Sequence, residues 1–293
     1  MRTSILIATM LLATLAGLSP SSAAGGKIAV VAAENFYGDV AAQIGGDLVA
    51  VTSILANPDQ DPHLFETSPT TVRQIAAADV VVYNGAGYDP WMERLLKVTP
   101  RSGRQAIVAA DLVHAAAGGN PHLWYDPQTM PAVARALAGA FAAADAAHKD
   151  QYAARLQTFL ASLDPQDKKI AEIRGKYAGA TVTATEPVFG PMADALHLTM
   201  LNPRFQLAVM NDTEPSARDL AAFERDLRSR TVRVMFYNKQ ASNDIVRRLV
   251  ELARTGGVPV VGVTETVPPG LSYQDWMLGE LDDTEQALGR PLS

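Results

Sequence analysis

Apolar residues along this chain fall into short runs separated by amphipathic windows, and the alternation occurs twice. Residues 27–34 form a run of small and β-branched apolar side chains and predict a strand. Residues 36–44 predict a helix, 48–55 a strand, 69–77 a helix and 80–83 a short buried strand. A helix over 90–96 and a strand over 106–109 complete this half. Apolar runs of this length between helical windows are the pattern of βαβ units, whose parallel strands are covered on both faces.

The middle of the chain breaks the pattern. Residues 126–143 and 148–176 are strand-free and dominated by Ala, Leu, Gln, Lys and Arg, all good helix formers. In the second window Tyr152, Leu156, Phe159, Leu163 and Ile170 recur at near-helical spacing. Pro165 lacks an amide proton and predicts a kink or break there. Alternation then resumes, with a strand over 181–185 and a helix over 187–196. A second helix opens at Pro215-Ser216, with Ser216 as N-cap and Asp219 three residues on. A strand over 232–237, a helix over 242–254, a strand over 258–263 and a helix over 272–288 follow. The fold expected is α/β. A lobe over 25–143 and a lobe over 178–293 carry parallel sheets, and a long rigid helix over 144–177 joins them.

Residues 1–24 stand apart. Arg2, the apolar stretch Ile5 to Leu18, and small residues at Ser22 and Ala24 have the layout of a secretory signal peptide. The stretch is shorter than the ~20 apolar residues that span a bilayer, and no later run reaches that length. The chain contains no cysteine, which excludes disulfides, thiolate metal sites, a cysteine nucleophile and a lipid-anchored cysteine after the signal. A soluble protein free in a periplasm is therefore expected. Of 293 residues, 48% are hydrophobic and 19% charged, enough apolar material for a sizeable core, and the formal charge of −6 disfavours nucleic acid as a partner.

Without thiolates, any metal must be held by His, Asp or Glu. Of the five histidines, His63 and His122 lie in loops stiffened by proline, in Asp61-Pro62-His63 and Asn120-Pro121-His122. A loop with little freedom suits a metal ligand. His114, His148 and His197 read as structural or solvated. Glu186 and Glu265 end the predicted strands 181–185 and 258–263, where a parallel sheet delivers side chains to a cleft. His63 and His122 from the first lobe with Glu186 and Glu265 from the second make an N₂O₂ set suited to one divalent first-row ion such as Zn²⁺ or Mn²⁺.

These residues resemble a known family. Asp61-Pro62-His63 with Phe65-Glu66-Thr67-Ser68-Pro69 looks like the first ligand loop of the cluster A-I (cluster 9) solute-binding proteins of zinc and manganese ABC importers. Val82-Tyr83-Asn84-Gly85 with Asp89-Pro90-Trp91 resembles the segment that follows it. Asn120-Pro121-His122-Leu123-Trp124-Tyr125-Asp126-Pro127 is close to the second ligand motif, and Glu214-Pro215-Ser216 with Arg218-Asp219-Leu220 to a later helix start. The resemblance implies two Rossmann-like lobes, one metal between them, and His63, His122, Glu186 (with Phe189 three residues on) and Glu265 as ligands. It also implies an inner-membrane ABC permease as partner, with the binding protein a monomer. Two departures stand out. Glu265 occupies a position that is usually Asp, so its carboxylate reaches one methylene further. The long His/Asp-rich loop of many zinc-type members is missing.

The function expected is capture of Zn²⁺ or Mn²⁺ for delivery to an importer, not catalysis. Two alternatives compete: a metal-dependent hydrolase with Glu265 as general base, and an adhesin built on the same fold. No H-E-x-x-H motif or nucleophile elbow favours the hydrolase.

Overall fold

In the computed structural model, which describes residues 26–241 and 243–291, eight strands form two parallel four-stranded sheets. The proposed signal segment 1–24 lies outside the described residues. The first sheet contains β1 (Ile28–Glu34), β2 (Val49–Leu55), β3 (Val80–Tyr83) and β4 (Gln105–Val108), in the order β2-β1-β3-β4. The second contains β5 (Thr181–Ala184), β6 (Thr199–Leu201), β7 (Val234–Asn238) and β8 (Val260–Val263), in the equivalent order β6-β5-β7-β8. β1 and β3 are buried along nearly their whole length because helices cover both faces of the sheet. All pairings are parallel, so each sheet releases its strand ends, and the loops after them, on one side.

The linking segment is two helices, Lys149–Ser162 and Asp164–Tyr177, separated at Leu163. The break falls where Pro165 predicts it. That proline sits in the first turn of the second helix, where no amide proton is needed. The first of these helices packs on helices Asn35–Gly45 and Thr129–Ala144, the second on the terminal helix Tyr273–Gly289. Lys169 bonds Asp282 and Glu285 along that second contact, but these partly exposed pairs add little beside the buried Ile170 and Ile173.

One hydrophobic core runs through both sheets. At its centre Phe36 stacks on Trp124 (ring centroids 4.5 Å apart), and Tyr125 meets Phe189 at 5.6 Å and Trp276 at 5.7 Å. Close-packed aromatics thus fill the seam between the two sheets.

Among strands and α-helices, three escape the sequence pattern: the four-residue helix Ala109–Leu112, β6 and the helix Pro203–Met210. β6 is three residues long and partly exposed, so it shows no apolar run. Asn202, left-handed at φ 59°, turns the chain into the helix and is held there by Thr183 Oγ1 (2.7 Å) and Asp226 Oδ2 (3.0 Å). Among the described residues no helix is long and apolar enough to cross a membrane.

Candidate metal centre

His63 lies in the turn Pro62–Leu64 that follows β2. Pro62 fixes the entry of this turn, and Asp61 Oδ1 accepts from the His63 backbone amide at 2.8 Å. His122 follows β4 in a loop braced in the same way, with Asn120 Oδ1 accepting from its backbone amide at 3.1 Å. That oxygen is also 2.7 Å from His122 Nδ1. The Asn120 amide is oriented by its own donation to the Pro187 carbonyl at 2.6 Å. Since the amide oxygen only accepts, Nδ1 of His122 carries the proton, and Nε2 presents a lone pair to the site.

Glu265 arrives after β8, and its backbone amide donates to Gln240 Oε1 at 2.6 Å. Glu265 Oε2 lies 3.4 Å from His122 Nε2 and 3.5 Å from His63 Nε2, and accepts from the Tyr88 hydroxyl at 2.8 Å. The ligand atoms of His63, His122 and Glu265 all lie within 4.8 Å of one another. Both imidazole Nε2 atoms are buried without a hydrogen-bond partner. A tetrahedral ion with ligands at ~2.0–2.1 Å has ligand–ligand edges of about 3.3 Å, close to the two edges measured here. Unpaired buried lone pairs at that spacing are costly unless a cation completes them.

Glu186, after β5, is adjacent but outside this group of three. Its Oε2 accepts from Asn238 Nδ2 at 2.5 Å, and the same nitrogen donates to Glu265 Oε1 at 2.6 Å. The structure thus draws three of the four expected ligands together and places the fourth beside them, across a shared amide. His114, His148 and His197 stay outside the site. His148 bonds Asp145 at 2.6 Å, and the other two occupy left-handed turn positions.

Burial and like charge set the protonation of the centre. Burial pushes the Glu186 carboxyl up to about 8, and the neighbouring Glu265 charge adds to the rise. For Glu265 burial acts in the same direction, but the proximity of the His122 and His63 imidazoles, with the Tyr88 hydroxyl, holds it below the ordinary range. Burial lowers His122 against the pull of Glu265, which favours the neutral, metal-binding ring. His63 alone retains solvent contact, its side chain being 18% exposed. It borders a cavity of about 160 Å³ lined also by Asp61, Leu64, Met210, Asp212 and Gln240, which gives the site a route to solvent.

Sequence patterns did not reveal Tyr88, Asn120, Gln240 or Asn238 as site residues. Only Asn120 left a local signal, an Asx residue two positions before a candidate ligand. Asn238 becomes a site residue because β7 lies between β5 and β8, so its end falls between the two glutamates.

Two α/β lobes with a shared core and a cluster of two imidazoles and a carboxylate at their seam define a two-lobed metal-binding protein. The chain belongs to the family described as zinc-uptake complex component A, periplasmic, which it matches over residues 30–287. It is 25% identical to a putative metal-binding protein of Treponema pallidum, over 91% of this chain and 89% of that one. It is also 25% identical to the manganese ABC transporter substrate-binding lipoprotein PsaA of Streptococcus mitis, over 56% of this chain and 57% of that one. The solved structure of the periplasmic zinc-binding protein TroA from T. pallidum superposes with a TM-score of 0.77 at 18% identity, covering 90% of this chain and all of that one, and shares the fold. Membership identifies an extracytoplasmic metal-binding component of an ABC importer, not an enzyme, and sets aside the hydrolase and adhesin readings.

Proposed function

We propose that the protein captures a single Zn²⁺ or Mn²⁺ ion at the seam, with His63, His122 and Glu265 as a preassembled set and Glu186 as the fourth ligand, and passes it to an ABC permease in the inner membrane. The observation that carries this reading is the convergence of His63, His122 and Glu265, from three distant loops, with unpaired imidazole nitrogens facing one point. The names of the relatives support zinc and manganese as cargo. Two histidines and two carboxylates formally neutralise a dication, so capture leaves little uncompensated charge in a buried site.

Glu186 holds a proton near neutrality and must release it to coordinate, so capture releases a proton and weakens on acidification. Release to the permease follows from small loop shifts that pull one lobe's ligands from the other's, consistent with the packed seam. The signal-like segment supports a periplasmic location. Titration of the metal-stripped protein with Zn²⁺ and with Mn²⁺, followed by elemental analysis, tests the proposal. One tightly held ion per chain is expected, and absence of saturable micromolar binding of either ion would refute it.

A further inference from the structure

Asn238 is 1% exposed, and all of its amide hydrogen-bonding groups face the two glutamates or their support. Nδ2 donates to Glu186 Oε2 and to Glu265 Oε1. Oδ1 accepts from the Gln240 backbone amide at 2.9 Å, which fixes which end of the side chain faces the carboxylates. A reversed amide would set its oxygen against two carboxylates and its NH₂ against an N–H. Gln240 is itself held by donation to the Gln60 carbonyl (2.9 Å) and Thr266 Oγ1 (3.1 Å). The backbone of Asn238 donates to Thr185 Oγ1 at 3.2 Å. The amide is a rigid bracket, not an adaptable contact.

We infer that Asn238 is a specificity-determining residue that confines both glutamates to one-oxygen coordination and thereby favours Zn²⁺ over Mn²⁺. The inference rests on the proposed metal site and names its preferred cargo. Each carboxylate has one oxygen committed to an Asn238 proton. Oε2 of Glu265, which lies beside both imidazoles and accepts from the Tyr88 hydroxyl with one lone pair, and Oε1 of Glu186 are the oxygens that Asn238 leaves uncommitted. Two-oxygen chelation by either glutamate makes the ion compete with a buried amide proton for the same oxygen, which is costly. With two imidazole nitrogens the site therefore supplies four donor atoms. Zn²⁺ accepts four-coordinate tetrahedral ligation, whereas Mn²⁺ favours more numerous oxygen donors.

The test compares wild type with Asn238→Ala and Asn238→Leu, the latter close in shape but without donors. Zn²⁺ and Mn²⁺ affinities are measured by chelator competition, and zinc X-ray absorption on the wild-type complex counts ligand atoms. We expect four nitrogen or oxygen neighbours at ~2.0–2.1 Å around wild-type zinc. We also expect the Zn²⁺/Mn²⁺ affinity ratio to fall by about tenfold or more in the variants, as a lost bond to a charged group implies. An unchanged ratio in variants that still bind metal, or five or six ligand atoms around wild-type zinc, would overturn the inference. Should the variants misfold, the wild-type ligand count decides alone. Failure of wild type to bind either ion is a separate outcome that removes the metal site itself.

Discussion

His63 and His122 are each braced by a side chain two residues upstream, Asp61 and Asn120, within the same proline-stiffened loop. Glu186 and Glu265 have no such local brace. They come from the ends of different strands, repel each other, and are held by Asn238 from the strand between. The histidine half is oriented in advance and assembled by local sequence. The carboxylate half carries the charge, stores a proton on Glu186 and is assembled by topology. Direction of ligation comes from the first half, and pH dependence of the metal-free protein from the second.

The largest effect expected is on the histidine half. A buried zinc site yields about 10–16 kcal/mol over four ligands, or roughly 2.5–4 kcal/mol each. His122→Ala should therefore weaken metal binding by about 10²–10³-fold, measured by chelator competition. His63→Ala should cost somewhat less, because water can take the place of its partly exposed ring. Wild-type affinity in both variants would eliminate the histidine half. A smaller loss, about 10–100-fold, is expected from Asn120→Ala, which leaves the ring but frees its tautomer and orientation. If Asn120→Ala bound metal as wild type does, pre-orientation would not distinguish the halves.

How far each half was legible follows from the same contrast. His63 and His122 could be read from sequence because proline and Asx neighbours act within three residues. The sheets were legible because parallel buried strands leave continuous apolar runs such as 80–83. Glu186 and Glu265 could be located at strand ends, but not their separation, which depends on the order β6-β5-β7-β8. The same order makes Asn238 a site residue, and nothing in the string around it says so. Tyr88 reaches Glu265 across the seam, a contact between residues 177 positions apart that no local pattern encodes. β6 was missed because a three-residue, half-exposed edge strand carries no periodic signal.

The carboxylate half is sharpened by Glu186→Gln in the metal-free protein. The folded chain holds the Glu186 proton up to about pH 8, while the unfolded chain loses it near 4.5. Over that interval the native state binds more protons, so stability falls as pH rises. Asp89 and Glu280, raised by burial to about 6 and about 7, act with the same sign over lower ranges. Glu186→Gln removes only the Glu186 share. Its melting temperature should match wild type near pH 5 and exceed it at pH 8, by an amount on the order of 2 kcal/mol or roughly 4–8 °C. Identical melting curves at pH 8 would mean that the carboxylates do not store the proton.

The smallest effect expected lies at the junction of the halves. The Tyr125 hydroxyl, three residues beyond His122, is 2.6 Å from Glu280 Oε2 and 2.8 Å from the carbonyl of Thr264, the residue before Glu265. Glu280 also accepts from Trp276 Nε1 at 2.8 Å and from the Thr264 amide at 3.2 Å. One phenol thus ties the histidine loop to the carboxylate strand end. Tyr125→Phe keeps the aromatic packing and removes the tie, at a cost of about 1 kcal/mol. The sign of its pH dependence follows from Glu280. Hydrogen bonding to Tyr125 favours the ionised carboxyl, so the loss matters most above pH 7, where Glu280 is ionised in wild type. Denaturant unfolding at pH 5 and pH 8 should show the larger penalty at pH 8. A penalty equal at both pH values would reduce Tyr125 to a packing contact and leave the Tyr88–Glu265 and Asn120–Pro187 bonds as polar ties between the halves.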